Sequence, residues 1–163
     1  MKQKFLIFLL ILLSSGAFGA DLRGRMGLGM TNQLANGVPA LSLKIQQSKT
    51  FALGGIVGFK SDQDQTLYGA GLKLYRIIFD EPQLNFYMAG LLASENYLNN
   101  QSRVETGYQM DGTMGTEFHF SGLESLGLSF EFGLSVRKAK ATGGSSFETL
   151  GDGFLKSAVH FYL

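Results

Sequence analysis

The chain has 163 residues, a formal net charge of +1, 17% charged residues and no cysteine. That near-neutral balance argues against a nucleic-acid binder, which would carry a basic patch or stripe. The missing cysteines exclude a disulfide scaffold, a thiolate metal site, a cysteine nucleophile and a lipid-modified lipoprotein. With 22 glycines, only 2 prolines and no composition break, the sequence suits one domain of strands that bend and pack closely.

Lys2 and Lys4 form a basic start, Phe5 to Leu13 is an unbroken apolar run, and Ser14 to Ala20 is a small-residue exit. This is the three-part plan of a secretory signal peptide. The apolar run is too short for a membrane-spanning helix, which needs about 20 residues. Cleavage after Ala17, Gly19 or Ala20 fits. Taking Ala20, residues 1–20 are expected to be the signal and residues 21–163 the exported domain.

From there the sequence alternates with a period of two, the signature of strands. Leu22, Met26, Leu28 and Met30 alternate with Arg23, Arg25, Gly27 and Gly29. Leu41, Leu43 and Ile45 alternate with Ser42, Lys44 and Gln46. Phe51, Leu53, Val57 and Phe59 share one face of a third segment. Ala70, Leu72 and Leu74 oppose Gly69, Gly71, Lys73 and Tyr75. Leu84, Phe86, Met88 and Leu92 oppose Asn85, Tyr87 and Ala89.

The next two segments are the clearest, and the last is shorter but consistent. Val104 to Phe120 carries Val104, Tyr108, Met110, Met114, Phe118 and Phe120 on one face. Glu105, Gly107, Gln109, Asp111, Thr113, Glu117 and His119 lie on the other. Leu126 to Arg137 separates Leu126, Leu128, Phe130, Phe132, Leu134 and Val136 from Gly127, Ser129, Glu131, Gly133, Ser135 and Arg137. The last segment sets Leu155, Val159, Phe161 and Leu163 against Lys156, Ala158, His160 and Tyr162.

These segments predict eight strands. The connections Gln47–Thr50, Phe79–Gln83 and Ser121–Ser125 read as tight turns. Asn32–Val38, Lys60–Thr66, Asn96–Arg103 and Lys138–Leu150 read as longer polar loops. Short turns at one end and longer loops at the other are the pattern of an outer-membrane barrel, with both termini on the periplasmic side. An eight-stranded barrel has a narrow interior that side chains just fill. The bulky apolar set is therefore expected outside, against lipid. The small and charged set is expected inside. Arg23, Arg25, Lys44, Lys73, Arg137 and Lys156 would meet Glu105, Asp111, Glu117 and Glu131 in a polar network that plugs the lumen. Lys60 and Arg76, near strand ends, are expected at the interface.

The whole exported segment resembles the small eight-stranded outer-membrane proteins of the OmpA transmembrane-domain and OmpX type. The most specific element is the C-terminus, where Leu155, Val159, Phe161 and Leu163 alternate to the last residue. This is similar to the terminal signal read by the barrel assembly machinery, although Leu163 stands where the family more often ends in phenylalanine or tryptophan. The resemblance implies an all-β, antiparallel, up-and-down transmembrane barrel in the outer membrane of a Gram-negative bacterium. Outer-membrane lipid, lipopolysaccharide and, during insertion, the assembly machinery would be its partners. No cofactor, metal or catalytic activity is expected, and the role implied is structural, adhesive or protective.

His119 and Ser121 form a His-x-Ser pair similar to a fragment of the lipid A deacylases. Gly122 stands where that family has asparagine, and neither Glu124 nor Glu131 reproduces the spacing of its glutamate. A lipid-A-modifying enzyme, a small pore and a soluble lipocalin-like carrier with the apolar face inward are the alternatives.

Overall fold

A computed structural model describes residues 23–62, 65–98, 104–139, 145–149 and 155–163. The expected signal peptide and Leu22 lie outside the described residues. Nine strands follow in chain order: β1 (Met26–Thr31), β2 (Ala40–Ser48), β3 (Phe51–Ser61), β4 (Thr66–Glu81), β5 (Leu84–Leu98), β6 (Val104–Phe120), β7 (Leu123–Ala139), β8 (Ser145–Thr149) and β9 (Lys156–Tyr162). Among the described residues there is no helix.

Each strand from β1 to β7 pairs antiparallel with the next. The far edge of β7 is shared: its first half pairs with β9 and its second half with β8. β9 also pairs with β1, which closes the sheet. The result is a closed eight-stranded antiparallel barrel whose eighth stave is in two pieces. The segment Lys138–Leu150, expected to be a loop, therefore contains a strand. Its alternation is only five residues long and lies between polar residues, too little for a period-two signal to stand out.

Other boundaries shift outward. β4 and β5 run well past Tyr75 and Leu92, and the expected turn Phe79–Gln83 shrinks to Pro82–Gln83 after a bulge between Ile77 and Phe79. The turn between β6 and β7 is Ser121–Gly122, where Gly122 has a φ of 81° that favours glycine. Leu163 N donates to Met26 O at 2.9 Å, so the last residue is tied to the first strand.

The register links Leu28, Leu43, Gly55, Leu72, Leu92, Met110 and Val136. Continued across β7–β9 and β9–β1, it returns to the first strand displaced by about ten residues. For eight strands, that stagger tilts each strand roughly 40–45° and holds the backbone roughly 8 Å from the axis. From Tyr68 to Phe79 on β4, both facing out, the wall rises about 26 Å along the axis.

The two faces of every long strand separate as their alternation demands. Leu41, Val57, Phe59, Leu72, Leu92, Met110, Phe130 and Leu134 point away from the lumen and are exposed. Lys44, Ile56, Lys73, Tyr75, Tyr87, Glu117, Glu131, His160 and Tyr162 point into it and are buried. The interior thus holds three tyrosines and two lysines, larger groups than a uniformly small lining would provide. Glycines make the room. A Cβ at Gly115 would lie 2.6 Å from Glu131 Cγ, and one at Gly127 would lie 2.8 Å from Glu117 Oε1.

Barrel closure rests on one approach of this kind. A Cβ on Gly29 of β1 would fall 1.6 Å from the carbonyl oxygen of Val159 on β9, a backbone atom that cannot step aside. A Cβ on the outward-facing Gly112 would meet nothing within 4 Å. Gly29→Ala is therefore expected to abolish the compact, protease-resistant form in detergent. Gly112→Ala should refold like the parent. Limited proteolysis of the two refolded variants checks this contrast.

Candidate functional site in the barrel interior

The inward faces of six strands build a polar column along the lumen. Its centre is Glu131 on β7. Lys73 Nζ on β4 lies 2.5 and 2.6 Å from its two carboxylate oxygens. Tyr87 OH on β5 donates to Oε1 at 2.8 Å, and Thr113 Oγ1 on β6 donates to Oε2 at 2.9 Å. Nearer the tight-turn end, Glu117 on β6 repeats the arrangement. It accepts from Lys44 Nζ on β2 at 2.6 Å, Tyr162 OH on β9 at 2.6 Å and Ser129 Oγ on β7 at 3.3 Å. The Tyr75 ring lies between the two clusters, with both ammonium groups 4.8 Å from its centroid. Nearer the loops, Asp111 accepts from Ser135 at 2.6 Å and from Gln109 at 2.7 Å.

Both lysines and both glutamates are almost completely buried. Such charges are tolerated when they are paired and their remaining hydrogen-bonding capacity is filled, as here. The pairs also join strands far apart around the ring. A one-residue slip in β2, β4, β6 or β7 would swing a charge outside.

Four of the ten residues read as interior charges from sequence are placed in this core: Lys44, Lys73, Glu117 and Glu131. Asp111 is buried beside them. Arg137 is half-buried and binds Glu148 of β8. Glu105 and Lys156 are half-buried toward the loop end, and Lys156 is the register partner of Glu131. Arg25 is half-buried just before β1. Arg23 lies in an exposed turn before β1, which begins only at Met26.

The part of the site that sequence reasoning missed comes from the β1–β2 loop. This segment, expected to be a polar surface loop, turns into the barrel mouth. Gln33 is buried, accepts from Lys73 Nζ at 2.5 Å and donates to Glu131 Oε2 at 3.1 Å. Gln109 reads the loop's backbone, accepting from Ala35 N at 2.9 Å and donating to Gln33 O at 3.1 Å. Asn36 N donates to Glu95 at 2.9 Å. Leu34 is fully buried with Ala40, Ile56, Leu91 and Ala93, in a socket opened by Gly58 and Gly69. Leu34 and Val38, apolar residues in an otherwise polar connection, are the signal that could have marked the loop as inward-facing.

Two serine–histidine arrangements bear on enzymatic chemistry. Ser121 is exposed in the turn beside Gln83, whereas His119 is buried and lies 3.7 Å from Glu117, so the His-x-Ser pair is split between solvent and lumen. Ser42 Oγ lies 2.9 Å from His160 Nε2, whose Nδ1 is 3.8 Å from Glu117. All three side chains are more than nine-tenths buried, so a substrate carbonyl has no approach to the hydroxyl. Among the described residues, no group of three or more histidine, aspartate or glutamate side chains is placed to hold a metal ion.

Fold and lumen together define a class: a closed eight-stranded barrel turned inside out relative to a soluble one, with apolar residues outside and an ion-paired, plugged interior. No protein-family model matches the chain, and no curated protein matches it. Among solved structures it is similar to the crystal structure of the N-terminal β-barrel domain of Pseudomonas aeruginosa OprF. The two share 15% identity over 86% of this chain and 98% of that one, with a TM-score of 0.57. That likeness shows the barrel fold.

The column yields two expectations. Lys73→Met strands the Glu131 carboxylate and should destabilise the barrel by about 3–5 kcal/mol. The double variant Lys73→Met/Glu131→Gln should cost less than the two single changes summed. Leu34→Ala should cost about 2–5 kcal/mol by emptying the socket. Urea unfolding titrations of the refolded variants measure all of these.

Proposed function

We propose that the chain is an integral outer-membrane β-barrel of the general OmpA or OmpX type. Its role is non-enzymatic and structural, with adhesion or protection carried by its outer loops. The observation that carries this reading is the inverted distribution of polarity on a closed barrel. Lipid offers no hydrogen bonds, so a membrane-spanning sheet must close on itself, and its outer wall must be apolar. The outer wall, about 26 Å tall on β4 and apolar there except for Arg76 near the tight-turn end, matches the roughly 25 Å band that such barrels present to the hydrocarbon. The likeness to the OprF barrel domain supports the same reading. In this orientation the tight turns and the C-terminus face the periplasm and the longer loops face outward.

A plugged rather than conducting lumen is favoured by the stacked ion pairs and by Gln33 and Leu34 closing the mouth. The soluble-carrier alternative needs the apolar side chains to be inside, and they are outside.

The outer-membrane fraction should contain the protein, and its gel mobility should shift on boiling. The purified barrel should give no discrete conductance steps in planar bilayers, and lipid A masses should be the same with and without it. Recovery in the soluble periplasm with no heat shift would overturn the membrane reading, and stable conductance steps would overturn the plug. The wall itself is tested by Phe130→Arg: a charge on the lipid face near mid-membrane should cost about 2–4 kcal/mol in bilayer refolding titrations.

A further inference from the structure

The outer wall is apolar in its central band, but one place near the loop end is built differently. On four adjacent strands a single register row holds Ser94 of β5, Tyr108 of β6, Lys138 of β7 and Ser145 of β8. All four face outward and are exposed. Cross-strand partners stand about 4.5–5.5 Å apart at Cα, so the row runs about 14 Å along the wall, with the Lys138 ammonium flanked on either side by the hydroxyls of Tyr108 and Ser145. No carboxylate occupies the row. The neighbouring cation Arg137 points to the other face and is bound by Glu148. Lys60, an exposed lysine on β3, lies 3.4 Å from Asp62.

One step toward mid-wall, the parallel row is entirely apolar: Leu92, Met110, Val136 and Phe147. Between the two rows runs an outward-opening groove of about 490 Å³, lined by Leu92, Tyr108, Met110, Val136 and Lys138 among others. Its volume falls in the range of small-molecule sites, roughly 300–1,000 Å³. A cationic, hydroxyl-rich rim above an apolar floor is complementary to an anionic amphiphile and to nothing purely polar or purely apolar. The short strand β8 completes both rows.

We propose that this patch binds a phosphate-bearing lipid of the surrounding leaflet. The phosphate sits at Lys138 between the hydroxyls of Tyr108 and Ser145, with Ser94 one strand further along the row, and an acyl chain lies in the groove below. This inference rests on the membrane-barrel reading. The ammonium supplies the charge, the hydroxyls donate to phosphate oxygens, and the apolar row holds the chain against the wall.

The test places the full barrel in phosphatidylcholine vesicles with a trace of spin-labelled lipid, either phosphatidic acid or phosphatidylcholine. The motionally restricted fraction is read by electron paramagnetic resonance. At low salt the phosphatidic acid probe should associate about fivefold more strongly than the phosphatidylcholine probe, the factor expected of one lysine at a membrane surface. The preference should collapse in Lys138→Ala, survive in Lys138→Arg and Lys60→Ala, weaken in Tyr108→Phe, and fall as salt is raised. An equal association of the two probes would overturn the site. So would a preference untouched by Lys138→Ala, or one lost equally with Lys60→Ala. The heat-shift gel on the same vesicles separates the two levels. A barrel that inserts without selectivity removes the lipid site alone, whereas a chain that never inserts removes the membrane reading and the site with it.

Discussion

The pairing of β1 with β9 is the constraint on which the rest depends. Until the first and last strands meet, the sheet has two free edges, each a row of unpaired N–H and C=O groups. Closure with a stagger of about ten residues over eight strands sets both the tilt and the radius. A backbone held about 8 Å from the axis leaves room for side chains and little else. Gly29, against the carbonyl of Val159, is where the ring is joined, and Leu163 bonding back to Met26 secures the same seam. The narrow lumen then dictates what lies inside: every inward group must either fit beside its neighbours or be a glycine.

A lumen lined by alternating strands could have been filled with aliphatic side chains, as in soluble barrels. Here it is filled by ion pairs, and their value lies more in specificity than in raw stability, since buried pairs often gain little over well-packed apolar groups. Lys44 reaches Glu117 from β2 to β6, and Lys73 reaches Glu131 from β4 to β7. Each tie crosses the lumen and is correct in only one register. The tyrosines fit this logic, since Tyr87 and Tyr162 each give a hydroxyl to a carboxylate while filling volume with a ring. Tyr75 presents its ring to both ammonium groups, a contact that strengthens as water is excluded.

The long strands were legible because period two persisted over many residues. In Val104–Phe120 and Leu126–Arg137 the alternation assigned every charge to the lumen, and Asp111, Glu117 and Glu131 lie there, as Lys73 of β4 does. The parity also carried Tyr75, Tyr87, Tyr162, Ser129 and His160, although nothing in the spacing showed which would bond to which. Partnership inside the lumen joins residues up to 118 positions apart, as Ser42 and His160 do, and local pattern holds no record of that. The β1–β2 loop was misread for a related reason. Its backbone groups find partners in Gln109 and Glu95, side chains from distant strands, so a polar segment could be buried without a strand or helix of its own. β8 was hidden by its length.

The end of β7 joins the inner and outer faces. Arg137 and Lys138 are consecutive cations, and strand geometry sends them to opposite sides of the wall. On the inner face, at the half-buried loop end of the lumen, Arg137 has Glu148 as its counter-ion, delivered by the same short strand that places Ser145 outside. Outside, Lys138 stands among hydroxyls with no carboxylate in its row. A partly desolvated cation gains from a fixed partner, whereas a cation on the outer face can take its counter-charge from its surroundings. One five-residue strand thus serves both requirements, neutralising the charge that faces the lumen and leaving available the charge on the outer face. Losing β8 would therefore disturb the inner ion pair and the outer row together, although the two face different surroundings.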